Sequence, residues 1–163
     1  MKTTFTAVIM EINERNSARK GGDTFKETIS EISEKIGYQV VETIELPFDV
    51  SAVRKKVADL VDNQFVGLIF VRNRGMYSLN EELFDLEDRM FRDTDDWKRI
   101  WSRQRILYNT FNHAITVVRE HSLIMNFEGE FASVNGELAE ILEIWKENCI
   151  LYENDEKKQL TKA

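Results

Sequence analysis

The sequence predicts a three-layer α/β protein, with a mostly parallel sheet and helices on both faces, and three observations carry that prediction. Short apolar, β-branched runs at residues 5–12, 38–46 and 66–71 have the look of strands covered on both sides. Between them stand segments whose apolar residues recur at helical spacing. Strands alternating with helices imply crossover connections, which join parallel neighbours and place helices over the sheet.

Each element has its own signals. Residues 5–12 (FTAVIMEI) make the first strand and lead into a polar loop at 13–22 (NERNSARKGG). Asp23 is placed to cap a helix whose Ile29, Ile32 and Ile36 share one face, and Gly37 sits where a C-cap glycine belongs. Residues 38–46 (YQVVETIEL) form the second strand, which Pro47 breaks. A helix near residues 51–63 gathers Val53, Val57, Leu60 and Val61 on one face. It leads into residues 66–71 (VGLIFV), the clearest buried strand in the chain.

Ser78 and Glu81 then have capping-box spacing ahead of a helix with Leu83, Phe84 and Leu86. Residues 93–96 (DTDD) open a further helical stretch containing Trp97, Ile100 and Trp101. Residues 114–118 fit either a short strand or a helix. Residues 122–127 (SLIMNF) read as a buried strand, and residues 134–150 as a helix with Leu138, Ile141, Leu142 and Trp145 inward.

Composition narrows the function classes. A chain of 163 residues is expected to form a single domain, here residues 1–153, with a charged and frayed tail at 154–163. A net charge of −7 argues against binding a nucleic-acid backbone. No apolar run nears the roughly 18–20 residues of a membrane span, and the start lacks a signal peptide's pattern. Cys149 is the sole cysteine, which excludes an internal disulfide and a thiolate zinc cluster. Cytoplasmic residence is the expectation.

In a sheet of this kind ligands bind beyond the carboxyl ends of the strands. That expectation gathers the loops at 13–22, 72–77 and 128–133 on one edge. The first carries Arg15, Arg19, Lys20, Gly21 and Gly22, and the second carries Arg72, Asn73, Arg74 and Gly75. Each precedes a helix start, whose free amides and dipole favour an anion, so together they make a candidate anion site. Solvated loop charges are the plainer alternative. No Walker or GxGxxG pattern is present.

Asp49 and Glu81 are candidate bases or metal ligands, although both positions suit helix capping. Glu128 and Glu130, flanking Gly129, could ligate a cation such as Mg²⁺, or form an ordinary acidic turn. His113 and His121 have no second-ligand spacing, and no serine lies in a nucleophile elbow. Trp97, Trp101 and Trp145 fit a core or a subunit contact better than a stacking platform.

With this order in place, residues 4–150 resemble the molybdopterin-binding MoaB/MogA family of molybdenum cofactor biosynthesis. Asp23-Thr24 stands where the family has Asp-Thr-x-Gly, and residues 37–47 (GYQVVETIELP) look like its strand ending in proline. Residues 67–75 (GLIFVRNRG) look like its strand before Thr-Gly-Gly-Thr-Gly, and 123–130 (LIMNFEGE) like the strand before Pro-Gly-Ser. The segments LFDLEDR (83–89) and DWKRIWSR (96–103) match the frame between them.

The site letters depart from the family. Val71-Arg72-Asn73-Arg74-Gly75 keeps one glycine of the glycine-rich loop, so a close backbone approach to a phosphate is lost. The loop that follows is about three residues shorter, removing one catalytic acid, and the other acid aligns with Phe48, beside Asp49. Gly75, Glu81 and Gly129 carry over as pocket positions. The resemblance thus implies the fold, a trimer, and molybdopterin or a Mg-nucleotide as the possible ligand. Its rewritten loops favour a binding or scaffold protein over a molybdopterin adenylyltransferase, with an anion-binding pocket on Arg72, Arg74 and the 15–22 loop as the alternative.

Overall fold

The computed structural model describes residues 5–13, 24–75, 77–79, 81, 115–119, 122–128, 138–140 and 142–147. Their elements are β1 (Thr6–Asn13), α1 (Phe25–Lys35), β2 (Gln39–Pro47), α2 (Val50–Asp62), β3 (Leu68–Asn73), β4 (Ile115–Arg119) and β5 (Ser122–Glu128). A helical segment at residues 138–140 and 142–147 follows. The five strands form one sheet in the order β2-β1-β3-β5-β4. All neighbours are parallel except β4, which runs antiparallel to β5. The three-layer, mostly parallel architecture predicted from sequence is the one observed.

The apolar runs form strands because each of their two faces meets a helix layer. On one face Ala7, Ile9, Leu68, Phe70, Leu123 and Met125 pack with Phe25 and Ile29 of α1 and with Leu138, Leu142 and Trp145 of the last helical segment. On the other, Val8, Met10, Ile12, Ile69, Val71 and Ile124 meet Val53, Val57, Leu60 and Val61 of α2. A strand covered on both sides has no polar face to alternate with, which is why β1 and β3 read as continuous apolar stretches.

Several boundaries move. β3 runs through Asn73, so Arg72 and Asn73 belong to the strand and are buried (1% exposed each) rather than opening a loop. Their pairing with Phe127 and Glu128 of β5 extends the ladder by two residues. Pro47 is the last residue of β2 rather than its breaker, as an edge strand tolerates a missing N–H. The N-cap of α1 is Thr24, with no side-chain cap bond, in place of Asp23. The stretch at 114–118, open between strand and helix in the sequence, falls on β4, which covers Ile115–Arg119.

At the other end of α1 the expected glycine is present. Gly37 takes φ +93°, and Lys146 donates to the Ile36 carbonyl at 2.5 Å, tying the last helical segment to this terminus. The loop at 13–22 beyond Asn13, the helices expected after residue 82 and at 93–101, the 129–133 loop and the 154–163 tail lie outside the described residues.

Candidate functional site

The strand order places the topological switch between β1 and β3, because the chain crosses from β2 over β1 to reach β3. Ligand crevices in open α/β sheets lie there, at the carboxyl ends. Beyond the β1/β3 ladder the chain is pinned at this edge by two main-chain bonds, Phe48 N to Asn13 O (2.9 Å) and Arg74 N to Ile12 O (2.8 Å). What fills the crevice is then set by side chains.

Asn73 and Glu128 are opposite partners on β3 and β5, which puts their side chains on the same face. The Asn73 amide donates to Glu128 Oε2 at 2.5 Å and to the Tyr77 carbonyl at 2.8 Å, while its oxygen accepts from the Gly75 amide at 2.8 Å. Glu128 Oε1 accepts from Ser78 Oγ (2.6 Å), the Leu79 amide (2.8 Å) and Asn126 Nδ2 (3.1 Å). Both carboxylate oxygens are therefore committed to donors within the chain. A carboxylate used in this way is an anchor for the loop rather than a ready base or cation ligand.

Phe48 supplies the other half of the edge. A Cβ added at Gly75 would collide with Phe48 Cδ2, so the ring rests directly on the glycine. Tyr77, 69% exposed, stands 6.3 Å from the same ring. Gly75 is needed here for close packing of an aromatic side chain, and the space above it is occupied by that ring.

The remaining predicted residues are dispersed. Arg72 lies beneath the edge, its guanidinium 5.4 Å from the Phe25 ring centroid, among the α1-side core. Glu11, also buried, is its partner across β1 and β3, so opposite charges share that face. Arg74 is half-buried beside Gly75, and Glu81 is exposed at a helical position. The Asp49 carboxylate accepts from the Ala52 amide at 3.1 Å and caps α2, the plainer of its two expected roles. Arg15, Arg19, Asp23 and Gly129 lie outside the described residues. Among the described residues no group of three His, Cys, Asp or Glu is placed to hold a metal, and no helix is long and apolar enough to cross a membrane.

Sequence reasoning passed over Glu11, Tyr77 and Asn126, and gave Ser78 and Glu128 other roles. One signal was available: polar residues (Glu11, Asn126) inside otherwise apolar strands mark buried groups that need partners. The Asn73–Glu128 pairing depends on strand register, which single runs do not encode.

Fold and edge together define a three-layer α/β protein whose β3 and β5 carboxyl ends share the Asn73–Glu128–Ser78 network, with the Phe48 ring seated on Gly75. Solved structures of molybdopterin biosynthesis proteins share this fold. MoaB from Thermus thermophilus superposes with a TM-score of 0.60 at 18% identity, over 86% of this chain and 89% of that one. MogA gives 0.59 at 19% over 88% and 99%, and a molybdopterin biosynthesis protein from Mycobacterium abscessus gives 0.58 at 15% over 94% and 98%. No family model and no curated protein matches the sequence. The likeness expected from the strand and loop frame is thus met at the level of the fold.

Proposed function

We propose that this chain is a divergent MoaB/MogA-type protein that serves as a homo-oligomeric binding or scaffold protein without adenylyltransferase activity. It works as one domain over residues 1–153, in the cytoplasm. The observation that carries this reading is the Phe48 ring resting on Gly75. A glycine-rich phosphate cradle needs backbone amides open to the ligand. Here a ring covers the glycine, and the Gly75 amide is already given to Asn73. A molybdopterin phosphate or a Mg-nucleotide does not fit over Gly75 in this arrangement, so no transfer step is assigned to it. Phosphoryl chemistry also needs acids free to hold Mg²⁺, whereas Asp49 caps a helix and Glu128 accepts four hydrogen bonds.

The test is an assay for AMP transfer from Mg-ATP to molybdopterin, run beside a mass measurement in solution. The reading expects no AMP transfer above a protein-free blank and a particle of three times the 19.1 kDa chain mass. Measurable transfer contradicts the first half. A monomer across the accessible concentration range contradicts the second.

A second reading has one observation in its favour. Arg74 leaves β3 half-buried at the carboxyl edge, where it, with Arg15 and Arg19 of the 15–22 loop but without the buried Arg72, would hold an anionic pterin- or nucleotide-type molecule. Competition by inorganic phosphate separates the two, because the anion pocket requires it and the scaffold does not.

A further inference from the structure

We propose that the corner built by Phe65, Asp62 and Arg119 at the amino end of the sheet is a two-fold contact between copies of this chain. Phe65 is its anchor, and the two charged residues exchange partners across it. The contact is separate from the three-copy particle proposed above and holds whichever particle the chain forms.

The corner is where α2 ends, β3 and β5 begin and β4 ends. Arg119 joins β4 to Asp62 of α2 through bonds of 3.2 Å (Nε to Oδ1) and 3.0 Å (Nη2 to Oδ2). Ser122, the cross-strand partner of Arg119, donates to the carbonyl of Val66, next to Phe65 in the chain. Phe65 is 50% exposed, and the Arg119 and Asp62 side chains are 29% and 40% exposed. Phe65 and Arg119 each make a further interaction within the chain, so a partner meets the surface that they leave in solvent.

A single exposed aromatic is ordinary. What sets Phe65 apart is its backbone. At φ +55° it is the one non-glycine residue with positive φ among the described residues, in a region that disfavours a bulky side chain. The turn is stapled on both sides of it. Asn63 N and Gln64 N bond Asp59 O at 3.0 and 3.1 Å, and Val66 N bonds Leu60 O at 3.0 Å. The Asn63 and Gln64 side chains donate to the Asp59 carboxylate at 2.7 and 2.8 Å. Glycine or asparagine would close the same turn with less strain, so the turn itself does not call for a ring. A half-exposed aromatic held against backbone preference fits an interface anchor.

The charges choose the occupant. A net charge of −7 sets two copies against each other in most approaches. At this corner an acid and a base stand side by side, so the patch is complementary to itself, as a two-fold contact requires. Related by the axis, Arg119 of each copy meets Asp62 of the other, with the two Phe65 rings between them.

Analytical ultracentrifugation of the full chain over a range of concentrations tests this. The parent's particle mass should double as concentration rises. Phe65→Asn, which suits the backbone, should stay at the smaller mass, with a thermal midpoint at low concentration that is unchanged or higher. A parent that never doubles leaves the corner to another partner and overturns the proposal, as does a Phe65→Asn protein that still doubles. A lowered midpoint in that variant would make the ring a packing residue. A variant smaller than the parent's smallest particle would place the ring in a head-to-tail contact. Either result overturns the two-fold.

Charge exchange gives a second route. Asp62→Arg and Arg119→Asp each set like charges against each other at both crossings of a two-fold pair, so neither variant alone should double. Mixed in equal amounts they bring opposite charges together at both crossings and should double, and adding Phe65→Asn to both should abolish it. A mixture that stays unpaired overturns the proposal even if Phe65→Asn does not fold. The three-copy expectation fails on the mass at low concentration and this contact on the rise above it, so the two failures are distinguishable.

Discussion

The two ends of the sheet are closed in different ways. At the amino end the backbone closes itself: Gln39 N bonds Phe5 O (2.9 Å), Gly67 N bonds Thr6 O (3.0 Å) and Leu123 N bonds Gly67 O (3.0 Å), with the Ser122 hydroxyl donating to the Val66 carbonyl. Among the described residues side chains add the Arg119–Asp62 ion pair at 3.0 Å and the edge-on contact of the Phe5 and Tyr38 rings. At the carboxyl end two main-chain bonds, Phe48 N to Asn13 O and Arg74 N to Ile12 O, are joined by a side-chain network of particular residues: Asn73, Glu128, Ser78, and Phe48 on Gly75. Many sequences can make main-chain closure. A side-chain network belongs to one sequence, and here it lies where sheets of this type hold their ligands.

The largest effect that would break this contrast concerns Arg72. Had it been a loop residue, Arg72→Ala would be nearly neutral. As a buried strand residue over Phe25, its truncation should cost about 3 kcal/mol by urea unfolding, the range for emptying a large buried site. A change within about 0.5 kcal/mol, the usual range for surface sites, would return it to the ligand edge.

Next is Gly75→Ala. The added methyl meets the Phe48 ring and should cost about 1–3 kcal/mol, the range for overpacking. Much of that should be relieved in a Phe48→Ala background, so the pair is strongly non-additive. Additive costs would mean that the ring is not seated on the glycine.

Changes at the amino end should be small. Arg119→Ala removes a bond between partly exposed side chains (29% and 40%) and should cost less than about 1 kcal/mol, falling further with added salt. A loss as large as that of Arg72→Ala would erase the difference between the two ends.

The smallest effect is acid-linked. Hydrogen bonds from Asn63 and then Gln64 hold the Asp59 carboxyl below its ordinary value. A depressed folded-state pKa adds stability above the unfolded value that is lost as pH falls through the folded one. The stability gap between the parent and Asp59→Ala should therefore be full near neutrality and close only below the ordinary carboxylate range. A gap unaffected by acid would show that the carboxylate's charge is not what matters.

This contrast also explains what was legible in the sequence. The layers could be read because β1, β3 and β5 are apolar on both faces and α1 and α2 carry their buried residues at helical spacing. The end of β3 could not, because Arg72 and Asn73 look like loop residues until strand pairing supplies Glu11, Phe127 and Glu128 as neighbours. Phe48 aligned with a missing acid, but no spacing rule predicts that its ring covers Gly75, which is remote from it along the chain. The edge is a product of register, and register is not a local property.

The most direct test of the closed edge is thermal unfolding against Mg-ATP, Mg-GTP, pyrophosphate and a reduced pterin phosphate, with sulfate as control. A ligand at about 100 times its dissociation constant adds about 2.7 kcal/mol, a shift of several degrees at this size. An edge where Phe48 covers Gly75 and the Glu128 carboxylate is committed to donors within the chain predicts no shift with any of them. A shift with the pterin phosphate or a nucleotide, but not with sulfate, would contradict it.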